Sequence, residues 1–282
     1  MLSAAQWKAL STNYLKGPVL SCTKFSSGAG YDKVLKATFP SRSVVIRVFN
    51  KARPLSTRSL VIDISQKIGE KNYGPKVLWV PKDKSFFVSE FIQGSPVSTN
   101  LLENPSYFKK LVFILKKTHE ISRTLLPREK TYSLTQKVEN RLKEIKTNSP
   151  FLKGLCLKIK EKLTSPPYTS PKTIVHTDLK PENIFQDQYK KLYLLDWGES
   201  TVSSVFEDLG SLAFYFSLTQ KQENELLDLY FDNKWTKKEE TLLRFYKNLT
   251  MLHYALWSLR NGLSLGNVSL KHFPKYTLSK FQ

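Results

Sequence analysis

Ile174–Phe185 reads IVHTDLKPENIF, and three of its polar residues fall in a fixed order. His176, Asp178 and Asn183 make the pattern HxDxxxxN, with Asn183 five positions after Asp178. The apolar run LYLL, Leu192–Leu195, follows and ends on Asp196–Trp197–Gly198, so Asp196 lies 196 − 178 = 18 positions after Asp178. A lone Asp is usually a cap or a solvated charge, and a lone HxD is common. The joint pattern, with apolar strand–Asp–x–Gly behind it, is much rarer, because motif and local context agree.

Phosphoryl transfer from ATP asks for positioning and charge neutralisation more than for covalent chemistry. One carboxylate must hold the acceptor hydroxyl and take up its proton. An amide and a second carboxylate must hold Mg²⁺ against the phosphates. Asp178, Asn183 and Asp196 are residues of those types in that order, and hard oxygen ligands such as these suit Mg²⁺, which keeps some waters and binds few protein groups. His176, two residues before Asp178, is placed to brace the loop by hydrogen bonding rather than to react.

Outside this stretch, composition sets bounds. With 282 residues, 40% apolar and 12% aromatic, the chain can bury a good core in one large or two modest domains. Cys22 and Cys156 cannot make a disulfide framework and suit a reducing compartment. The start, MLSAAQWKAL, lacks the basic and long apolar regions of a signal peptide, and no segment approaches the ~20 apolar residues of a membrane helix. A soluble cytoplasmic protein is expected. The 44 basic residues outnumber the 24 acidic ones, giving +20 and favouring anionic partners. The lysines are scattered, with no long tract and no zinc-finger or aromatic RNA-binding signature. That fits a solvated lysine-rich surface, disfavours nucleic acid, and leaves peripheral contact with an anionic membrane open. Oligomeric state is left open as well.

The first ninety residues read mostly as strands with one helix. Pro18–Phe25 predicts a strand and Ser26–Gly30, SSGAG, a small-residue turn. Lys33–Phe39 and Ser43–Phe49 predict a hairpin across PSRS, with SVVIRVF the clearest strand. Leu55–Lys71 predicts a helix ended by Tyr73–Gly74–Pro75. Lys76–Val80 and Ser85–Phe91 predict a strand pair around PKDK, and Gln93–Gly94–Ser95–Pro96 a hinge. The periodicity then becomes helical over Tyr107–Glu120, Leu134–Lys146, Phe151–Leu163 and from Phe206 onward. The proline-rich loop Thr164–Lys172 and a strand at Lys191–Leu195 interrupt it. The expectation is an α+β chain: a β-rich nucleotide-binding lobe over 1–93 and a mainly helical catalytic and substrate-binding lobe over 94–282.

HTDLKPENIF with LLDWGE resembles the kinase superfamily. Within it the chain looks most like the choline/ethanolamine kinase and aminoglycoside phosphotransferase families. The resemblance runs from about Lys24 to about Tyr276, with its specific motifs at the centre. It implies a bilobal protein-kinase-like fold, ATP and Mg²⁺ as cofactors, and Asp178 as catalytic base with His176 beside it. It also implies Asn183 and Asp196 as Mg²⁺ ligands, and the backbone at Glu90–Phe91–Ile92 as the adenine contact.

Departures from the protein-kinase pattern carry information. Such kinases keep a lysine in the third strand, as in VAIK, whereas SVVIRVF has Arg47. Choline-kinase-like enzymes tend to carry an arginine there, in a phrase like LLRLYG. Arg47 is therefore the candidate phosphate contact, its fork of donors suiting phosphate oxygens; the plain alternative is an exposed cross-strand arginine. The helix glutamate that usually pairs with the basic residue falls near Val61, with Asp63 close by. SSGAGYDKV offers two glycines, Gly28 and Gly30, rather than three; it presents backbone N–H groups to phosphate or is an ordinary turn. Only ESTVSSVFE separates Gly198 from Asp208 and no APE follows, so no room remains for a peptide-docking platform. Small-molecule kinases run on there to a phrase like FDLA, which Phe206–Gly210, FEDLG, fits. Asp208 then braces the catalytic region, with a helix N-cap as the competing view. Glu199 faces the metal site or is solvated.

The acceptor is signalled by Leu252–Leu259, LHYALWSL, where choline kinases carry a phrase like WGLW whose aromatics line the quaternary-ammonium site. Tyr254 and Trp257, spaced i, i+3, share a helix face, and aromatic faces attract an alkylammonium. Tyr276 offers a third wall. The same spacing also serves a helix that packs aromatics into the core. The expected activity is phosphoryl transfer from ATP to the hydroxyl of a small amine, choline or ethanolamine, with thiamine or an aminoglycoside next. The basic tail KHFPKYTLSKFQ disfavours the aminoglycoside. A Ser/Thr protein kinase, suggested by Lys180, and an inactive kinase-like module that binds anions are readings of other classes. The missing peptide platform counts against the first and the complete Asp178, Asn183 and Asp196 set against the second.

Overall fold

The alternation in SVVIRVF decides which way each side chain of the third strand points. In the computed structural model, which describes residues 4–12, 18–25, 32–122, 134–144 and 166–260, β2 (Lys33–Thr38) and β3 (Ser43–Val48) form the expected hairpin, with Lys33 opposite Val48 and Thr38 opposite Ser43. With β1 (Ser21–Lys24), β4 (Val77–Trp79) and β5 (Phe86–Glu90) they make a five-stranded sheet in the order β1-β2-β3-β5-β4. Val44 and Ile46 turn to one face, where they join Leu35, Ala37, Phe86, Val88 and Leu10 of helix α1 (Ala4–Leu10) in a buried cluster. Arg47, one position out of phase, pairs across the sheet with Phe87. Phe87 and Phe49 pack with Val61 and Ile62 of helix α2 (Leu55–Glu70).

The chain packs as two units. The first takes Met1–Pro96 together with Ile184–Gly198. Where the sequence suggests a hinge at Gln93–Pro96, the chain makes β6 (Gly94–Pro96), which pairs with β8 (Ile184–Asp187), itself paired with β9 (Leu192–Leu194). Gly94 permits this approach: a Cβ there would lie 2.1 Å from the Gln186 carbonyl oxygen. The Leu194 N–H donates to the Tyr73 carbonyl at 2.8 Å, which fastens β9 to the turn after α2.

The second unit takes Val97–Asn183 and Glu199–Gln282. It contains α3 (Pro105–Ser122), α4 (Leu134–Glu144), α5 (Phe206–Tyr215), α6 (Gln220–Phe231) and α7 (Lys237–Arg260). It also holds a two-stranded ribbon, β7 (Lys172–Val175) with β10 (Thr201–Ser204). Every residue from Phe206 to Phe214 is buried, which makes α5 the unit's central helix. Its Gly210 lets α7 come close, since a Cβ there would lie 2.6 Å from the Lys247 nitrogen. Thr219 and Gln222 form a capping box on α6. The helix expected at Phe151–Leu163 lies outside the described residues. Among those described, no helix is long and apolar enough to cross a membrane.

Glu207, at the start of α5, ties α4 into this core. Its Oε1 accepts from the Ser203 hydroxyl and from the Leu134 N–H, at 3.1 Å for the latter, so a buried carboxylate satisfies an orphan donor at the N-terminus of α4. Oε2 has no hydrogen-bond partner among the described residues. Burial pushes the carboxyl up to about 7 against the opposing pull of those hydrogen bonds. A folded-state value raised above the unfolded one means stability that is complete below about pH 4.5 and lost as pH rises through about 7. Glu207→Gln keeps an acceptor and cannot ionise. It should gain on the unaltered protein by about 2–3 kcal/mol between about pH 5 and about pH 8.5 in urea unfolding; an identical pH response from the two proteins would exclude this ionisation.

Candidate active site

In the second unit the stretch His176–Leu179 lies along one face of α5. Asp208 is completely buried; its Oδ2 accepts the His176 N–H at 2.8 Å and its Oδ1 the Thr177 N–H at 2.7 Å. Three residues on, the Ser211 hydroxyl accepts the Leu179 N–H at 3.2 Å. Four further on, the Tyr215 hydroxyl reaches Asp178 Oδ1 at 3.5 Å. The spacing i, i+3, i+7 puts all three on one helical face. The N-cap of α5 is Val205, so Asp208 sits inside the first turn and does not cap it. His119 of α3 donates from Nε2 to Asp208 Oδ2 at 2.9 Å, and its Nδ1 meets the Tyr230 hydroxyl at 2.7 Å. Burial alone would raise the Asp208 pKa, but the hydrogen bond and charge of His119, with His176, outweigh it and the net shift is downward.

This anchoring holds an uncommon backbone. Thr177, β-branched, has φ 69°, and its hydroxyl donates to the Glu199 carbonyl at 3.0 Å. His176 is fully buried, and its Nδ1 accepts the Asp178 N–H at 3.3 Å. Asn183, in the short 3₁₀ turn Pro181–Asn183, donates through Nδ2 to the Asp178 carbonyl at 2.8 Å and to Asp178 Oδ2 at 2.9 Å. That leaves the amide oxygen of Asn183 as its hard donor. Lys180 Nζ lies 2.8 Å from the same Oδ2. Around Tyr215 stands an aromatic group: Tyr254 at 6.0 Å and edge-on, then Trp257 stacked on Tyr254 at 6.2 Å with 20° between the planes. Burial, then the charge of Asp178, holds the Tyr215 hydroxyl well above its ordinary pKa, so it remains a donor.

The first unit contains the other motif residue. Asp196 has φ 62° and a side chain 42% exposed. Its Oδ1 is bonded by Arg47 Nη2 and by the Gly198 N–H, the latter at 3.2 Å. Arg47 is 8% exposed rather than an open cross-strand arginine. A Cβ at position 198 would sit 2.1 Å from Arg47 Nη1, so any larger residue there would push the guanidinium from this position. The second partner of Arg47 is Asp32, at 3.5 Å. On α2, Val61 is buried with the apolar cluster and Asp63 is exposed; neither pairs with Arg47 among the described residues. Glu90 ends β5 and its Oε2 accepts the Lys76 N–H at 3.1 Å; Ile92 is half-buried in the connection to β6. Glu199, in the second unit, is largely exposed and lies 3.7 Å from Lys137 Nζ. Gly28, Gly30 and Tyr276 lie outside the described residues.

Three His, Cys, Asp or Glu side chains nowhere converge on a closed metal site among the described residues. Mg²⁺ held mainly by phosphates and waters needs only one or two protein oxygens. The Asn183 amide oxygen and the Asp196 carboxylate are of that type. Sequence reasoning missed Asp32, Arg53, His119, Tyr215 and Tyr230. Of these only Tyr215 had a signal, seven residues past Asp208 on the same face.

A family model described as "phosphotransferase enzyme family" matches residues 21–240. No curated protein matches in sequence. Among solved structures, the choline kinase LicA from Streptococcus pneumoniae is 17% identical with a TM-score of 0.68, over 98% of this chain and 94% of that one. A choline/ethanolamine kinase family protein from Mesorhizobium loti is 18% identical with a TM-score of 0.66, over 97% and 90%. Spectinomycin phosphotransferase APH(9)-Ia is 16% identical with a TM-score of 0.62, over 100% and 95%. The sheet-rich N-terminal part and helical C-terminal part are those of the kinase-like fold, and the chain belongs to the phosphotransferase enzyme family.

Proposed function

We propose that the protein transfers the γ-phosphoryl group of ATP, with Mg²⁺, to the hydroxyl of a small amino alcohol of the choline or ethanolamine class. One observation carries the choice of acceptor: Tyr215 joins Asp178, at 3.5 Å, to the aromatic group of Tyr254 and Trp257. A group able to accept a proton and ring faces able to attract an alkylammonium thus adjoin within one unit. A short molecule with a hydroxyl at one end and a cation at the other matches that pairing. An aminoglycoside, with several ammonium groups, would call for a carboxylate-rich pocket instead.

In this reading Asp178 orients the acceptor hydroxyl and takes its proton as the oxygen–phosphorus bond forms and the bond to the departing ADP breaks. His176 does not touch the reacting atoms; it positions Asp178 through the backbone N–H. Asn183 and Asp196 would hold Mg²⁺, which supplies neutralisation of phosphate charge when bound. Arg47 and Lys180 would meet the phosphates, and the backbone at Glu90–Ile92 the adenine. Support for a nucleotide comes from LicA, a structural relative at a TM-score of 0.69 whose complex holds AMP. Against a protein acceptor stands the short run from Glu199 to Glu207, much of which is used up in β10 and its pairing with β7.

ATP consumption measured over choline, ethanolamine, thiamine, an aminoglycoside and a protein substrate tests the reading. An amino alcohol should be turned over best, and Asp178→Asn should lower the rate by roughly 10²–10⁴-fold; equal turnover by that variant would sink the mechanism. Trp257→Ala should raise the KM for choline by about 2–30-fold with little change in kcat, which corresponds to ~0.5–2 kcal/mol for one ring face. An unchanged KM would take Trp257 out of the acceptor site.

A further inference from the structure

A cluster of charges in the first unit gathers around a carboxylate with no role so far. The Asp32 side chain is 5% exposed. Its Oδ2 meets Arg47 Nη1 at 3.5 Å; its Oδ1 meets Arg53 Nε at 3.3 Å and accepts the Asn50 N–H at 3.1 Å. The two guanidiniums then reach the two ends of one turn. Arg47 Nη2 bonds Asp196 Oδ1, and Arg53 Nη1 donates to the Gly198 carbonyl at 2.7 Å.

We propose that Asp32 is the positioning residue of the phosphate side, holding Arg47 and Arg53 as a paired fork against the Asp196–Gly198 turn. The inference rests on the reading of the site as an ATP phosphotransferase. A guanidinium is planar with its donors in a fixed fork, so carboxylates on two of its nitrogens fix both plane and direction. With Asp196 as its only partner, Arg47 would lose its aim whenever that carboxylate turned to Mg²⁺. Asp32 keeps hold of Nη1 and leaves Nη2 directed outward to a phosphate oxygen. Charge follows the same logic: Arg47 and Arg53 are balanced by Asp32 and Asp196. Once Asp196 is engaged by the metal, the arginine pair carries a net positive charge toward the nucleotide. The helix carboxylate expected near Val61 is thus replaced by one just before β2.

Calorimetric titration of the full chain with MgADP tests this, using the unaltered protein, Asp32→Asn, Asp32→Glu and Arg53→Gln. Asp32→Asn should weaken MgADP binding by roughly tenfold or more, as loss of an orienting partner does elsewhere, and Asp32→Glu should recover part of it. The KM for ATP should rise while that for the amino alcohol stays fixed. A merely structural role would reduce the active fraction, and so kcat, and move neither KM nor the MgADP affinity. Should Asp32→Asn fail to fold, Arg53→Gln carries the test, since it removes the second arm. MgADP affinity and ATP KM unchanged in the folded variants would overturn the inference alone. Failure of the unaltered protein to bind MgADP would overturn the nucleotide reading and the inference with it.

Discussion

The Asp208 carboxylate is fully buried and accepts hydrogen bonds from His119, His176 and Thr177. A buried charge is tolerable only when paired and fully hydrogen-bonded, and removing one partner of such a set costs about 3–5 kcal/mol. The constraint therefore runs both ways. The stretch from His176 to Leu179 cannot shift without stranding Asp208, and α5 cannot rotate without releasing that stretch. Because α5 is buried from Phe206 to Phe214 and held against α7 at Gly210, the loop inherits the rigidity of the core. Ser211 and Tyr215 extend the same register up to the carboxylate of Asp178.

A second, largely buried carboxylate organises the first unit in the same way. Asp32 binds two arginines, and these bind the ends of the Asp196–Gly198 turn. Each carboxylate stands behind one residue in the left-handed region, Thr177 at φ 69° and Asp196 at φ 62°. Such backbone costs on the order of 1–3 kcal/mol per residue and persists only where its surroundings over-determine it. Asp208 fixes Thr177 directly through its N–H. Arg47 and the Gly198 N–H converge on Asp196 Oδ1, and Asp32 fixes Arg47. In both units the strained residue lies in or beside the motif, and the buried charge that holds it comes from a distant part of the chain.

This distribution explains what the sequence could and could not convey. Period-two alternation in SVVIRVF and helical spacing in Tyr107–Glu120 report burial along a single element, and both elements form where the pattern puts them. HxDxxxxN is legible because its members are close in the chain and their spacing is fixed by one turn. His119 and Asp208 are 89 positions apart and Arg47 and Asp196 149, and no local pattern links them. Asp32 was invisible for a different reason. The family likeness directs attention to a carboxylate on α2, where the chain has Val61 packed in the core and Asp63 in solvent. At Gln93–Pro96 the signal was ambiguous in kind, because a glycine that looks like a flexible break also permits a strand pairing so close that a Cβ there would lie 2.1 Å from the Gln186 carbonyl oxygen.

Asp178 shows how the two ends of the proposed reaction can be kept apart on a single side chain. Oδ2 receives Asn183 and Lys180, an amide and a cation suited to the metal and phosphate side. Oδ1 faces Tyr215, and beyond it Tyr254 and Trp257. Because Tyr215 stays protonated, its hydroxyl adds a donor and no second negative charge beside the carboxylate. Oδ1 is then the oxygen with lone-pair capacity left on the aromatic side, where an alkylammonium would rest. A proton taken up at Oδ1 would leave the Asn183 and Lys180 contacts at Oδ2 in place, so accepting it need not disturb the groups that would hold metal and phosphate in the proposed reaction. Within the second unit this asymmetry follows from α5, which delivers Tyr215 to one oxygen of Asp178 through the same face that anchors the loop.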